Sequence, residues 1–133
     1  MEWLTSRKNE GIQRAARLVR SAAFRRQEGA FVAEGARLCR DAAQSGLVIE
    51  TAYLTTQAQE KYPEYAAALL SVARQALGIE PHLAELLSDT KTPQGMYAVC
   101  RMPQETAPAF KRDGHYLALE QMQDPANLGA VLR

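Results

Sequence analysis

Cysteine and histidine are nearly missing from this chain. Cys39 and Cys100 stand sixty-one residues apart, and His82 and His115 are equally isolated. None has a second Cys or His at ligand spacing, so a zinc site is not expected. Two such thiols are best read as small buried hydrophobes of a reduced cytoplasmic protein. Long apolar runs are missing too. The longest, Tyr65 to Leu70, falls far short of the ~20 residues that a membrane-spanning helix requires. The start, Met1-Glu2-Trp3-Leu4, has no basic stretch leading into an apolar one, so no secretory signal is expected. Excess charge of either sign is absent as well, since the net charge is +1.

What remains is an ordinary globular composition, 47% apolar and 23% charged over 133 residues. A chain of this length buries roughly two-thirds of its unfolded surface without disulfide or metal staples. The neutral average hides a gradient. Residues 1–40 carry nine Lys/Arg against four acids, a net +5, and the rest of the chain carries −4. A basic front end on a neutral chain suits either a polyanion-facing surface or a solvated helix face.

That front end has helical periodicity. Over residues 9–26, Ile12, Ala15, Ala16, Val19, Ala22 and Ala23 recur at three- and four-residue steps, which puts them on one face. Arg14, Arg17, Ser21 and Arg25 fall on the opposite side. Between Ile12 and Arg26 there are five Arg and no acid. Guanidinium groups fit phosphate oxygens through a planar fork of donors, and the same row also suits simple exposure to solvent.

Strand and helix then alternate. Residues 30–33 read as a short buried strand, 36–43 as a helix and 47–54 as a strand rich in β-branched residues. Thr55 or Thr56 caps a helix over 57–61. A helix over 65–77 stopped by Gly78, a brief strand at 79–83, one helical turn at 84–87 and a strand at 96–100 follow. This pattern predicts an α/β layered domain over residues 1–102 with a largely parallel sheet. Residues 103–114, with Pro103 and Pro108 among charged neighbours, read as a linker. A last strand over 115–120 leads into a strand-to-helix turn that holds Asn127 and Gly129, with Arg133 six residues past Asn127. One strand and one turn do not make a sheet, so 115–133 is read as the opening of a second domain whose remainder is absent. Asn127 and Arg133 there either hold a phosphate and a neighbouring hydroxyl or serve as a helix cap and a surface residue.

The tail Asp124-Pro125-Ala126-Asn127-Leu128-Gly129-Ala130-Val131-Leu132-Arg133 closely resembles the first motif of the SpoU (TrmH-type) RNA 2′-O-ribose methyltransferases of the SPOUT superfamily. The remainder looks like that family's N-terminal substrate-binding domain. Ser6-Arg7-Lys8-Asn9 and the Arg-rich helix, then Phe31-Val32-Ala33-Glu34-Gly35, match its opening, and Thr92-Pro93-Gln94-Gly95 matches its closing turn.

The resemblance implies an α/β/α RNA-binding module similar in fold to kink-turn-binding ribosomal proteins. It also implies a parent enzyme with a knotted domain that binds S-adenosylmethionine and forms a homodimer. Asn127 and Arg133 map onto catalytic positions. There the Arg engages the target nucleotide and helps activate its 2′-hydroxyl, a stabilisation worth roughly 3–4 kcal/mol for one well-placed donor. Arg7, Lys8, Asn9, Arg14, Arg17, Arg25 and Arg26 are the expected contacts to structured ribosomal or transfer RNA. The family's two later motifs, which build the cofactor pocket, are not found in these residues, so the chain by itself is expected to be inactive. A non-catalytic RNA-binding module with a ribosomal-protein-like fold is the alternative.

Overall fold

The computed structural model describes residues 1–104 and 109–132. Five strands form one sheet: β1 (Glu2–Leu4), β2 (Ala30–Glu34), β3 (Ile49–Leu54), β4 (Gln75–Ile79) and β5 (Met96–Arg101). Their order is β1-β4-β3-β5-β2. β4 pairs in parallel with β1 and β3, whereas β5 runs antiparallel between β3 and β2. The sheet is therefore mixed rather than largely parallel, because the closing strand returns through its middle.

Helices cover both faces. The packing against one face comes from α1 (Glu10–Arg20), α6 (Pro81–Ala84) and a 3₁₀ turn (Glu85–Leu87), around Ile12, Leu18, Leu83, Leu87 and Tyr97. The other face carries α3 (Ala36–Gln44), α4 (Thr56–Lys61) and α5 (Pro63–Leu70), around Cys39, Ala58, Leu69, Met96 and Cys100. Period-two alternation along β5 makes this possible, since Tyr97 and Val99 enter the first core while Met96, Ala98 and Cys100 enter the second. The architecture is a three-layer α/β/α domain, and both thiols are buried in it. Burial raises the pKa of each, that of Cys100 to about 11.

Three local expectations are corrected. The helix expected over 9–26 is two helices, α1 and α2 (Ala22–Glu28). Ser21 breaks it by adopting an extended backbone and accepting a hydrogen bond from the Phe24 N–H with its own hydroxyl, a local bond that competes with the helix. Ala22 and Ala23 consequently lie exposed, and Leu18 takes a core position instead. The helix expected over 65–77 stops at Leu70, and Gln75–Ile79 is strand β4. The ladders offered by β1 and β3 on either side override its local helix propensity. Gly78 lies within that strand because the Trp3 ring covers it, leaving no room for a Cβ.

The strand expected over 115–120 is also not formed. No ladder partner stands beside these residues among those described, and all of them are exposed, so water takes their backbone groups. Further on, Asp124 caps α7 (Pro125–Val131) by accepting from the Ala126 N–H at 2.8 Å.

Candidate nucleic-acid interface

All of β1, β2, β3 and β4 point the same way, so their carboxyl ends share one edge of the sheet with the start of β5. Ligand-binding groups of open α/β sheets gather at such an edge. Residues 5–9 leave β1 here, Glu34-Gly35 leaves β2, Thr55 leaves β3, and residues 88–95 enter β5. Of the three stretches singled out in the sequence, Phe31 to Gly35 and Thr92 to Gly95 therefore come together across the β2–β5 pairing, whereas Ser6 to Asn9 leaves β1 at the opposite end of the strand order.

Hydrogen bonds hold the loops after β2 and β3 to the one before β5. The Glu34 carboxylate accepts from the Ser88 hydroxyl, from the Asp89 N–H at 3.2 Å and from the Thr90 hydroxyl at 3.1 Å. Gln94 Oε1 accepts from the Ala36 N–H at 2.8 Å, at the start of α3. Gly95 returns its carbonyl to the Thr55 N–H at 2.9 Å. It sits at φ +71°, with the Thr55 side chain where a Cβ would stand, a position only glycine fills without strain. Asn9 caps α1 by accepting from the Ile12 N–H at 3.2 Å. His82 of α6 reaches the Thr5 carbonyl at 3.0 Å and joins the first loop to the next element.

The expected RNA-contacting residues divide into three groups. Arg7 and Lys8 stand exposed at this edge beside the cap Asn9, with no carboxylate partner among the described residues. Arg17 and Arg26 are exposed on the outer side of α1 and α2, Arg17 lying over the Phe24 ring at 4.1 Å. Arg14 and Arg25 are engaged inside the fold. Arg14 donates to Glu28 at 2.9 Å and to Glu50 at 2.8 Å, and Glu50 also pairs with Arg101. Those two carboxylates, Glu28 first, hold the Arg14 guanidinium above its ordinary pKa. Arg25 donates to the carbonyls of Leu18 and Val19 at 2.8 and 2.9 Å, satisfying the last turn of α1.

Lys91 was not singled out from the sequence, although its exposed cation lies in the loop before β5. Its place between Thr90 and the Thr92-Pro93 turn was the signal available. Asn127 is exposed in the first turn of α7, and Arg133 lies outside the described residues. Among the described residues, no three His, Cys, Asp or Glu gather as metal ligands, and no helix is long and apolar enough to cross a membrane.

Comparison with known proteins places this edge in a family. Residues 9–98 match the model of the MRM3-like substrate binding domain. An uncharacterized tRNA/rRNA methyltransferase of Synechocystis sp. is 32% identical over 111 residues, covering 82% of this chain and 40% of that protein. A solved RNA 2′-O ribose methyltransferase superposes with a TM-score of 0.72 at 30% identity, over 98% of this chain and 50% of that one. The SpoU methyltransferase AviRb of Streptomyces viridochromogenes, solved with AdoMet, has the same fold at a TM-score of 0.57 and 24% identity, over 72% and 36%. The chain thus spans half or less of the length of these relatives. Because the match over residues 9–98 covers more than half of the chain and runs through Asn9, Glu34-Gly35 and the Thr92-Pro93-Gln94-Gly95 turn, this chain belongs to the MRM3-like substrate-binding domain family of the SpoU/TrmH-type RNA methyltransferases.

Proposed function

We propose that this chain is the RNA-binding part of an S-adenosylmethionine-dependent 2′-O-ribose methyltransferase acting on ribosomal or transfer RNA in the cytoplasm, and that the carboxyl edge of the sheet faces the RNA. The observation that carries this reading is the hydrogen-bonded meeting of the Glu34-Gly35 and 88–95 loops, with the exposed Lys91, on the same carboxyl side of the sheet where the exposed Arg7 and Lys8 leave β1. Phosphates on a structured RNA would meet these cations, with Arg17 and Arg26 extending the contact along α1 and α2. Arg14 and Arg25 act differently. Arg14 Nε and Nη1 bond two carboxylates and Arg25 Nη1 bonds two carbonyls, so these side chains serve first to hold the Arg-bearing surface in shape.

The cofactor does not fit the residues described. No residue of α7 is buried and Asn127 is exposed, whereas a ligand of that size is held in a cleft that covers most of its surface. In this reading the methyl-transfer site is completed by the remainder of a longer enzyme, a homodimer, and these residues by themselves bind RNA without methylating it. Asn127 and Arg133 are the residues of this chain proposed to reach that centre.

Fluorescence anisotropy of a labelled structured RNA against salt concentration tests the reading. Wild-type affinity is expected to fall as salt rises, because each phosphate contact releases counterions. The double substitution Arg7→Ala and Lys8→Ala is expected to lower the slope of log K against log salt by about one per residue. An unchanged slope would remove the edge from the interface.

A further inference from the structure

A groove opens beside the loop that enters β5. Thr92, Pro93 and Gln94 form one wall, with Gln57, Lys61 and Tyr62 opposite, around a cavity of about 260 Å³. A second cavity of about 290 Å³ continues past Gln57, Pro93 and Gln94 to Thr90 and Lys91. Pockets for drug-sized ligands run from roughly 300 to 1,000 Å³, so each lobe suits one small planar group.

The chemistry of the walls narrows the occupant. Gln94 spends its amide oxygen on the Ala36 N–H at 2.8 Å, which settles which end of the amide is which and leaves its two N–H donors to the groove. Tyr62 is half-buried against the core of α3 and α5, and its ring lies nearly parallel to that of Tyr65, 9° apart in plane with centroids 6.3 Å apart. The Lys61 ammonium lies over the Tyr62 ring, 5.4 Å from its centroid, on an exposed side chain that an incoming base would displace from that face. A held aromatic ring, an oriented amide donor and a cation together match the three parts of an unpaired nucleotide: a π-face, an acceptor on the base edge and a phosphate. A phosphate alone would have no use for the ring.

We propose that this groove is a subsite for one unpaired RNA base, stacked on Tyr62, with an acceptor on its edge facing the Gln94 amide and its phosphate facing Lys61. The inference rests on the RNA-binding reading above and adds what is recognised: a loop or bulge rather than a continuous duplex, whose bases are stacked away from such a groove.

The test uses the full chain with two RNAs of equal length and charge, a hairpin carrying 2-aminopurine in its loop and a blunt duplex. Tyr62→Leu keeps an apolar side chain on the core, and Gln94→Glu keeps an acceptor for Ala36 while removing the donors. Each is expected to weaken hairpin binding about fivefold or more relative to duplex binding, the charge added by Gln94→Glu acting on both RNAs alike. Quenching of 2-aminopurine on binding is expected with the wild type and lost in Tyr62→Leu. Should that variant not fold, the near-isosteric Gln94→Glu decides. Equal weakening of both RNAs, or weakening of neither, overturns the base subsite while leaving the RNA-binding reading intact. Failure of the wild type to bind either RNA overturns both.

Discussion

Replacing Arg14 with Met separates the two roles that the Arg-rich segment carries. The substitution keeps an unbranched apolar stem against the helix and removes two charge-assisted hydrogen bonds, to Glu28 at 2.9 Å and to Glu50 at 2.8 Å. The first pair is about one-third exposed on both sides, 34% and 31%, so its loss is worth about 0.5–1 kcal/mol, near the upper end for solvated pairs. Glu50 is only 16% exposed, and hydrogen bonds to such charged groups reach about 1.5–3 kcal/mol. Arg101 stays on Glu50 as a second cation, which holds that loss to the low end, about 1.5 kcal/mol. A total of about 2 kcal/mol follows, or a fall of about 6–8 °C in melting temperature for a domain of this size. Urea unfolding followed by circular dichroism measures it directly. RNA affinity below the transition is expected to stay within about twofold of wild type, with the salt slope unchanged, while Arg7→Ala and Lys8→Ala give the reverse pattern. If Arg14→Met leaves stability within about 0.5 kcal/mol and flattens the salt slope as Arg7→Ala does, the assignment of Arg14 to the scaffold is wrong.

Gly95→Ala places a Cβ against the Thr55 side chain at φ +71°, and the strain is expected to cost about 2 kcal/mol or more. A urea midpoint equal to wild type would show that the loop tolerates a side chain there. In Gly78→Ala the new Cβ lies 2.5–2.8 Å from the Trp3 ring atoms, so the ring must leave β4. The emission of Trp3, the only tryptophan, is expected to shift to the red and to become more accessible to acrylamide, and an unchanged spectrum would contradict the packing. Alkaline pH is expected to destabilise the domain. Burial raises the Cys100 thiol from 9.0 to about 11 and lifts Cys39 and Tyr97 higher still, so the folded state keeps protons that the unfolded chain loses. The stability from Cys100 is complete below about pH 9 and declines as pH rises toward 11, by about 3 kcal/mol. Urea midpoints at pH 8 and pH 10.5 measure this, and a flat profile would refute it. Both thiols are also expected to resist a disulfide reagent at pH 8 until the chain unfolds.

Most helices and the long strands were legible because their signals are local. The short apolar run of β5, the Thr55 cap of α4 and the spacing of α3 each lie within a few neighbouring residues. β1 and β4 were not legible. Three residues are too few for a period-two signal, and the stretch around Arg74 to Gly78 favours helix until two neighbouring strands offer it hydrogen bonds. The break at Ser21 was equally silent, since the apolar spacing runs straight through it.

The site follows the same division. Residue types alone marked the Arg-rich front end, and the family resemblance marked Ser6 to Asn9, Glu34-Gly35 and the Thr92-Pro93-Gln94-Gly95 turn and tied them to RNA. Which of the cations are available was beyond that reading, because Arg14 and Arg25 look no different from Arg17 and Arg26 in a helical projection. Their partners Glu28, Glu50, Leu18 and Val19 arrive from the end of another helix, from the sheet and from the last turn of α1. By itself the sequence determined that this is an α/β domain of an RNA-methyltransferase family, since periodicity and short motifs are properties of adjacent residues. Only the tertiary structure decided which loops share the carboxyl edge, which arginines hold the scaffold and where a base-sized groove opens. Those depend on strand order and on contacts between residues far apart in the chain, such as Ala36 and Gln94, 58 positions apart, which no local signal encodes.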